Sequence, residues 1–161
     1  MAIQWAGLSA CSRRSACLLL MASLAAPISS RADTWSARSF GNDGALDWVE
    51  QFLQHPNSDF LSMTLAQGVG SRLIPRFAGE SIVAAAEVVA ASWGRPCSDF
   101  PIELIVIVAN SRLAWRKATP LARTALNGVL GEASELRREW GHDIQGLAGW
   151  QDNVRQLLER L

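Results

Sequence analysis

The sequence predicts an all-α protein, a single compact domain of about six or seven helices preceded by an extended N-terminal strap. Two segments, residues 43–54 and 147–161, place apolar side chains at helical spacing with polar side chains opposite. An Ile-Val-rich run, residues 99–110, would also suit a buried strand, but no second strand exists for it to pair with. Because 49% of the 161 residues are hydrophobic, the chain can build one core.

The first predicted helix covers residues 43–54. Asn42 is suited to cap its N-terminus, and Asp43 and Asp47 favour the positive end of the helix dipole. Phe40 precedes the helix and is predicted to pack on its first turn as a hydrophobic staple. On a wheel of ~100° per residue, the apolar side chains separate completely from the polar ones; they are Ala45, Leu46, Trp48, Val49, Phe52 and Leu53.

Two more helices are predicted before Gly94. Ser58 can cap a short second helix, and the glycines and proline of residues 68–79 predict a loop after it. The third helix is apolar almost all round and ends at Gly94, a typical C-terminal glycine. Its polar edge is predicted to be a narrow solvent-facing strip made of Glu80, Ala84, Glu87 and Ala91.

The later segments are predicted to be helical as well. Pro101 at a first helical position favours a helix over the ambiguous Ile-Val run. Thr119 and Pro120 are typical of an N-cap and a first helical residue, and Ser134 opens a short helix before the last one. The pattern therefore predicts a packed cluster of helices rather than a bundle of long ones.

Residues 1–32 have the pattern of a signal peptide. Arg13 and Arg14 precede the apolar run ACLLLMASLAA, and Ser30 and Ala32 give the small-x-small pattern of a cleavage site. The run is about half of the ~20 residues that span a bilayer, so no permanent membrane span is predicted. We expect cleavage near Ala32-Asp33 and a periplasmic or secreted protein, by the general or the twin-arginine route. The alternative is a cytoplasmic protein with an apolar N-terminal helix.

Charge argues against a nucleic-acid partner. The chain has 15 basic and 15 acidic residues, and residues 1–32 contain three of the arginines and no acid. The predicted mature chain, residues 33–161, therefore carries 12 basic and 15 acidic residues, a net charge of −3. Binding to a phosphate backbone depends on clustered lysine and arginine, which this part of the sequence does not have.

Residues that could support catalysis are few. His55 and His142 are isolated, and Cys97 is the only cysteine after residue 32, so the sequence predicts no metal, no cofactor and no intramolecular disulfide. Cys97 is interpreted as a half-buried small apolar residue rather than a reactive thiol. Glu87 is interpreted as solvated or paired at the helix edge; a truly buried Glu87 would be a candidate general base.

The segment ADTWSARSFGNDGALDW, residues 32–48, has two interpretations. In the structural one, Trp35 lies on the strap across the core, Asn42 caps the helix and Trp48 faces inward. In the functional one, the strap and the first helix surround a ligand pocket, with Trp35, Asn42, Asp43 and Asp47 as the binding residues. The structural interpretation is favoured, because aromatic residues at helical spacing are more often core than site.

Three motifs carry a resemblance to a known family. They are TW followed by F-x-ND-x-ALDW in residues 34–48, AAAEVVAA followed by GRP in residues 84–96, and SELRREW in residues 134–140. Together they resemble the bacterial family of the domain of unknown function 4259. That family usually has glycine and proline where this chain has Ser36 and Ser39, and it lacks the leader. The resemblance implies a small helical domain with no established activity, and it transfers no catalytic residue.

Two classes of function follow. The first is a non-enzymatic binding or interaction module of the cell envelope, of the kind found in immunity or adaptor proteins, whose partner is another protein. The second is a small-ligand binder or an enzyme that uses acids near the strap. Its candidate binding residues are Trp35, Asn42, Asp43, Asp47 and Glu87, and it predicts that the three acids converge in an apolar pocket.

Overall fold

The structure is a computed structural model that describes residues 36–161, and within them it has eight α-helices and no strand. The compact helical arrangement confirms the predicted fold class. The predicted leader and Trp35 lie outside the described residues. The helices run in this order: α1 (Asp43–Gln54), α2 (Ser58–Ala66), α3 (Arg76–Ser92), α4 (Ile102–Asn110), α5 (Arg112–Arg116), α6 (Thr119–Val129), α7 (Glu135–Trp140) and α8 (Ile144–Arg160).

Side-chain caps begin four of these helices. The predicted cap Asn42 of α1 is confirmed, Ser134 caps α7, the short helix that it was predicted to open, and Asp143 caps α8. The predicted cap Ser58 is wrong, because it is already the first residue of α2. Asn57 caps that helix instead, and its Oδ1 accepts the Phe60 N–H at 2.8 Å.

The Ile-Val run forms helix α4, as predicted, and is followed by a helix that the sequence pattern missed. Ser111 leaves the helical conformation at φ −136° and ψ 32°, and the five-residue α5 follows it. This short helix accounts for the difference between the predicted six or seven helices and the eight observed in residues 36–161. None of these helices combines the length and the apolar character that crossing a membrane requires.

Helix α3 is the centre of the described fold, because it packs against each of the other seven helices. It starts at Arg76, inside the predicted loop, and Gly94 follows its end with φ +80°, as predicted for a C-terminal glycine. The predicted solvent-facing strip is wrong: Glu80, Ala84, Glu87 and Ala91 are all buried. A helix surrounded by packed neighbours has no open edge, so its carboxylates need partners inside the fold.

Aromatic rings join α1, α2 and α5 in the core. The rings of Trp48 and Phe52 stack with centroids 4.8 Å apart, and Trp115 meets Phe52 edge-on at 5.6 Å. The buried Trp48 Nε1 donates a hydrogen bond of 2.9 Å to Thr64 Oγ1. Trp48 therefore faces inward as predicted, with its one polar atom satisfied.

The segment before α1 differs from its prediction. Its described part is a turn closed by a hydrogen bond of 3.4 Å from the Ser36 N–H to the Gly41 carbonyl, rather than an extended strap. Phe40 is buried, but its ring meets Phe100 edge-on at 5.7 Å. The predicted staple on the first turn of α1 stays a prediction; Phe40 and Ala45 of that turn belong to one buried core, and Phe40 also packs on the segment before α4.

Candidate functional site

The start of α1 contains three of the predicted binding residues. Asn42 Oδ1 accepts the Ala45 N–H at 2.9 Å, so its side chain is used as the helix cap. Asp43 and Asp47 are exposed on the outer face of α1. Trp35 lies outside the described residues, and its part in a site stays a prediction.

A further acid that interacts with these aspartates is Glu80 of α3, which the sequence pattern placed in solvent. It is buried, its Oε2 accepts the Gly44 N–H at 3.1 Å, and Arg76 Nε lies 3.8 Å from its Oε1. Burial raises the pKa of the Glu80 carboxyl; Arg76 and the Gly44 N–H act against this shift, and the charges of Asp43 and Asp47 add to it. Glu80 thus ties the first turn of α1 to α3.

Glu87 lies two turns further along α3 and has a different set of partners. It is 0% exposed, which corrects the prediction of a solvated side chain, although the alternative of a paired one is confirmed. Arg160 of α8 binds it with two parallel hydrogen bonds, Nη1 to Oε2 and Nη2 to Oε1, each 2.7 Å long. This bidentate geometry is the strongest way for a side-chain cation to compensate a buried carboxylate.

Further groups complete the surroundings of this ion pair. Ser39 Oγ donates to Glu87 Oε1 at 2.6 Å, and Asn153 Nδ2 donates to Ser39 Oγ at 3.2 Å. Arg160 Nη1 also donates to the Arg95 carbonyl at 3.0 Å. We call these five residues the Glu87 network. It joins the segment before α1, helix α3, the loop after α3 and helix α8, so its primary effect is to hold these four parts together.

Cys97 borders the Glu87 network and is half-buried, as predicted. Burial raises the pKa of its thiol, and the negative charges of Glu87 and Asp99 raise it further. The thiol therefore stays protonated at neutral pH, where only a thiolate would act as a nucleophile or a metal ligand. Within residues 36–161, no cluster of three or more histidines, cysteines and acids is arranged to hold a metal ion.

A small cavity lies between the turn before α1 and helices α3, α7 and α8. Its volume is about 10 Å³, and its wall includes Asn42, Glu80, Trp140 and Asn153. This volume is about that of one water molecule and is far below the ~300 Å³ of the smallest ordinary ligand pockets.

The acids of the ligand-site hypothesis have different surroundings in the structure. Asp43 and Asp47 lie close enough to Glu80 to act on its pKa, whereas Glu87 is enclosed by its own network. Sequence reasoning missed Glu80 as a buried acid. It also missed three members of the Glu87 network, Ser39, Asn153 and Arg160, because residues so far apart in sequence give no local pattern.

Comparison with known proteins identifies the family. The model of the family described as "Domain of unknown function (DUF4259)" matches residues 33–153, which is well over half of the chain. The chain belongs to the DUF4259 family. No curated protein and no solved structure shows a significant match. The match includes Ser39, Glu87 and Asn153 of the Glu87 network, whereas Arg160 follows the matched part.

This DUF4259 domain also has an exposed apolar surface, made of α4 and the start of α5. Leu104 and Val108 face the core, and the opposite side of α4 presents side chains at the i, i+3, i+4 spacing of one helix face. Burying one such side chain stabilises an interface by roughly 1.5–3 kcal/mol. We call these residues the α4 face, with the exposed fraction of each: Ile102 74%, Ile105 52%, Val106 64% and Leu113 75%.

Proposed function

We propose that the protein is an exported, non-enzymatic interaction module that binds another protein through the α4 face. The observation that carries this proposal is the presence of three large aliphatic side chains on one face of α4, each more than half exposed: Ile102, Ile105 and Val106. Single exposed apolar residues are ordinary, but a contiguous apolar patch on a folded protein usually marks an interaction site. Polar residues that could form the rim of an interface are also present, because Glu103 and Arg112 are exposed near the two ends of α4.

The arrangement of the acids favours this function over the alternative of an enzyme or small-ligand binder. Glu87 already accepts two hydrogen bonds from Arg160 and one from Ser39, so both of its carboxylate oxygens are bonded to groups within the fold. Asp43 and Asp47 are solvent-exposed, and the cavity near them has room for about one water molecule.

Photo-crosslinking in the native host tests the interaction. A photo-crosslinking amino acid in place of Val106 should yield a covalent protein adduct, because Val106 lies midway along α4 and is 64% exposed. The matched control is the same amino acid in place of Gln51, which is exposed on the polar side of α1. An adduct from position 106 and none from position 51 is expected. The absence of any adduct from position 106 would contradict an interaction through this surface.

Export has its own test. Intact-mass measurement on protein purified from its native host should show a chain that begins at or near Asp33, because the sequence of residues 1–32 has the charge, apolar run and small residues of a cleaved leader. Recovery of the full-length chain from the cytoplasm would contradict export. The crosslinking experiment tests the protein interaction independently of this outcome.

A further inference from the structure

We infer that the α4 face binds a second copy of this chain, with the two α4 helices packed antiparallel about a two-fold axis. This inference rests on the proposed function and names the partner. It depends on how charge is distributed along the surface, and not only on the exposure of its apolar side chains.

The two ends of the α4 face carry opposite charges. Glu103 lies in the first turn of α4, and Arg112 begins α5 just after the last turn. Both side chains are exposed, and neither takes part in a salt bridge within the part of the chain that the structure describes. Between them, Val106 marks the middle of the apolar stretch.

Such a surface is complementary to itself only when the second copy is reversed. In a two-fold symmetric pair, the same patch of both copies forms the interface. A nine-residue helix is about 13 Å long, so antiparallel α4 helices crossing near Val106 bring each Glu103 to the end where Arg112 of the second copy lies. Parallel packing would instead place Glu103 beside Glu103 and Arg112 beside Arg112, which is unfavourable.

The apolar side chains fit the same arrangement. When the reversed copy crosses near Val106, the two Val106 side chains lie opposite each other, and Ile102 of one copy lies at the end where Leu113 of the second copy lies. Antiparallel packing also sets the positive end of one helix dipole near the negative end of the other, which is favourable. The α4 face therefore offers an apolar centre and two ion pairs at its rim, the usual composition of a protein interface.

Charge-reversal variants test this arrangement. Their oligomeric state and that of the parent are measured by sedimentation velocity, on protein purified from cells that express the whole sequence. The parent protein should be a dimer at micromolar concentration. Glu103→Arg places two arginines opposite each other at both ends, and Arg112→Glu does the same with two glutamates. Each variant alone should raise the dimer dissociation constant about tenfold or more. Glu50→Arg, which changes an exposed glutamate on α1, is the control and should dimerise like the parent.

The decisive measurement is the mixture of the two variants. A heterodimer of Glu103→Arg with Arg112→Glu pairs arginine with glutamate at both ends in the antiparallel arrangement, so mixing them should restore dimers. If the mixture stays monomeric, if the parent is monomeric, or if the single variants dimerise normally, the inference is overturned. An adduct of Val106 with a different protein in the crosslinking experiment would then leave the proposed function intact, and the absence of all adducts would overturn both.

Discussion

Replacing Arg160 with methionine should lower the free energy of unfolding by about 3 kcal/mol. The substitution keeps most of the apolar stem but removes both hydrogen bonds to Glu87, whose carboxylate is fully buried. Removing one partner of a buried ion pair costs about 3–5 kcal/mol, because the remaining charge is left without compensation. We expect the lower end of this range, since the Arg160 side chain is 23% exposed and water can approach the vacated position.

Urea unfolding of the parent and three variants measures this effect. Arg155→Met is the matched control on the same helix, since Arg155 is 56% exposed and pairs with Asp152 at the surface; it should cost less than about 1 kcal/mol. The double variant Glu87→Met with Arg160→Met removes both charges and should be more stable than Arg160→Met alone. Equal losses for Arg160→Met and Arg155→Met would show that the Glu87 network contributes no more than a surface pair.

The loss of stability expected for the Arg160 variant depends on a contact that the sequence pattern could not predict. The helical wheel of α3 correctly identified a polar edge on an apolar helix, with Glu80 and Glu87 on it. A wheel describes one helix alone, however, and such an edge is equally compatible with solvent and with a buried partner. The partner of Glu87 lies 73 residues away, in a helix whose other arginine, Arg155, is exposed. Only the packed fold distinguishes these two arginines.

Local chemistry was more predictable, because its causes lie within a few residues. The cap of α1 follows from Asn42 Oδ1 and the N–H three residues later, and the end of α3 follows from Gly94 at a positive φ. Helix α5 was missed, because its five residues are too few to show a helical period. For the site, the sequence placed Asp43 and Asp47 on the exposed side of α1 but gave no sign that they interact electrostatically with a buried Glu80.

Replacing Gly44 with alanine should destabilise the protein by about 1–3 kcal/mol, the usual cost of overpacking a core. Inside a helix, alanine is ordinarily better than glycine by about 0.8–1.0 kcal/mol, so the expected sign is the reverse of helix propensity. The reason is space: a Cβ on Gly44 would overlap Glu80 Oε2 and would lie 3.1 Å from Phe77 Cδ1. Thermal or urea unfolding gives the change in stability directly.

Gly149→Ala is the control for this substitution, because Gly149 lies within α8 and a Cβ there meets nothing within 4 Å. It should stabilise the protein by up to about 1 kcal/mol, in the direction that helix propensity predicts. A third variant identifies the cause of the loss. If the Glu80 carboxylate is the obstacle, adding Glu80→Ala to Gly44→Ala removes it, and the double variant should lose less stability than the sum of the two single variants. Additive losses would show that the Glu80 carboxylate is not the obstacle to a Cβ at position 44.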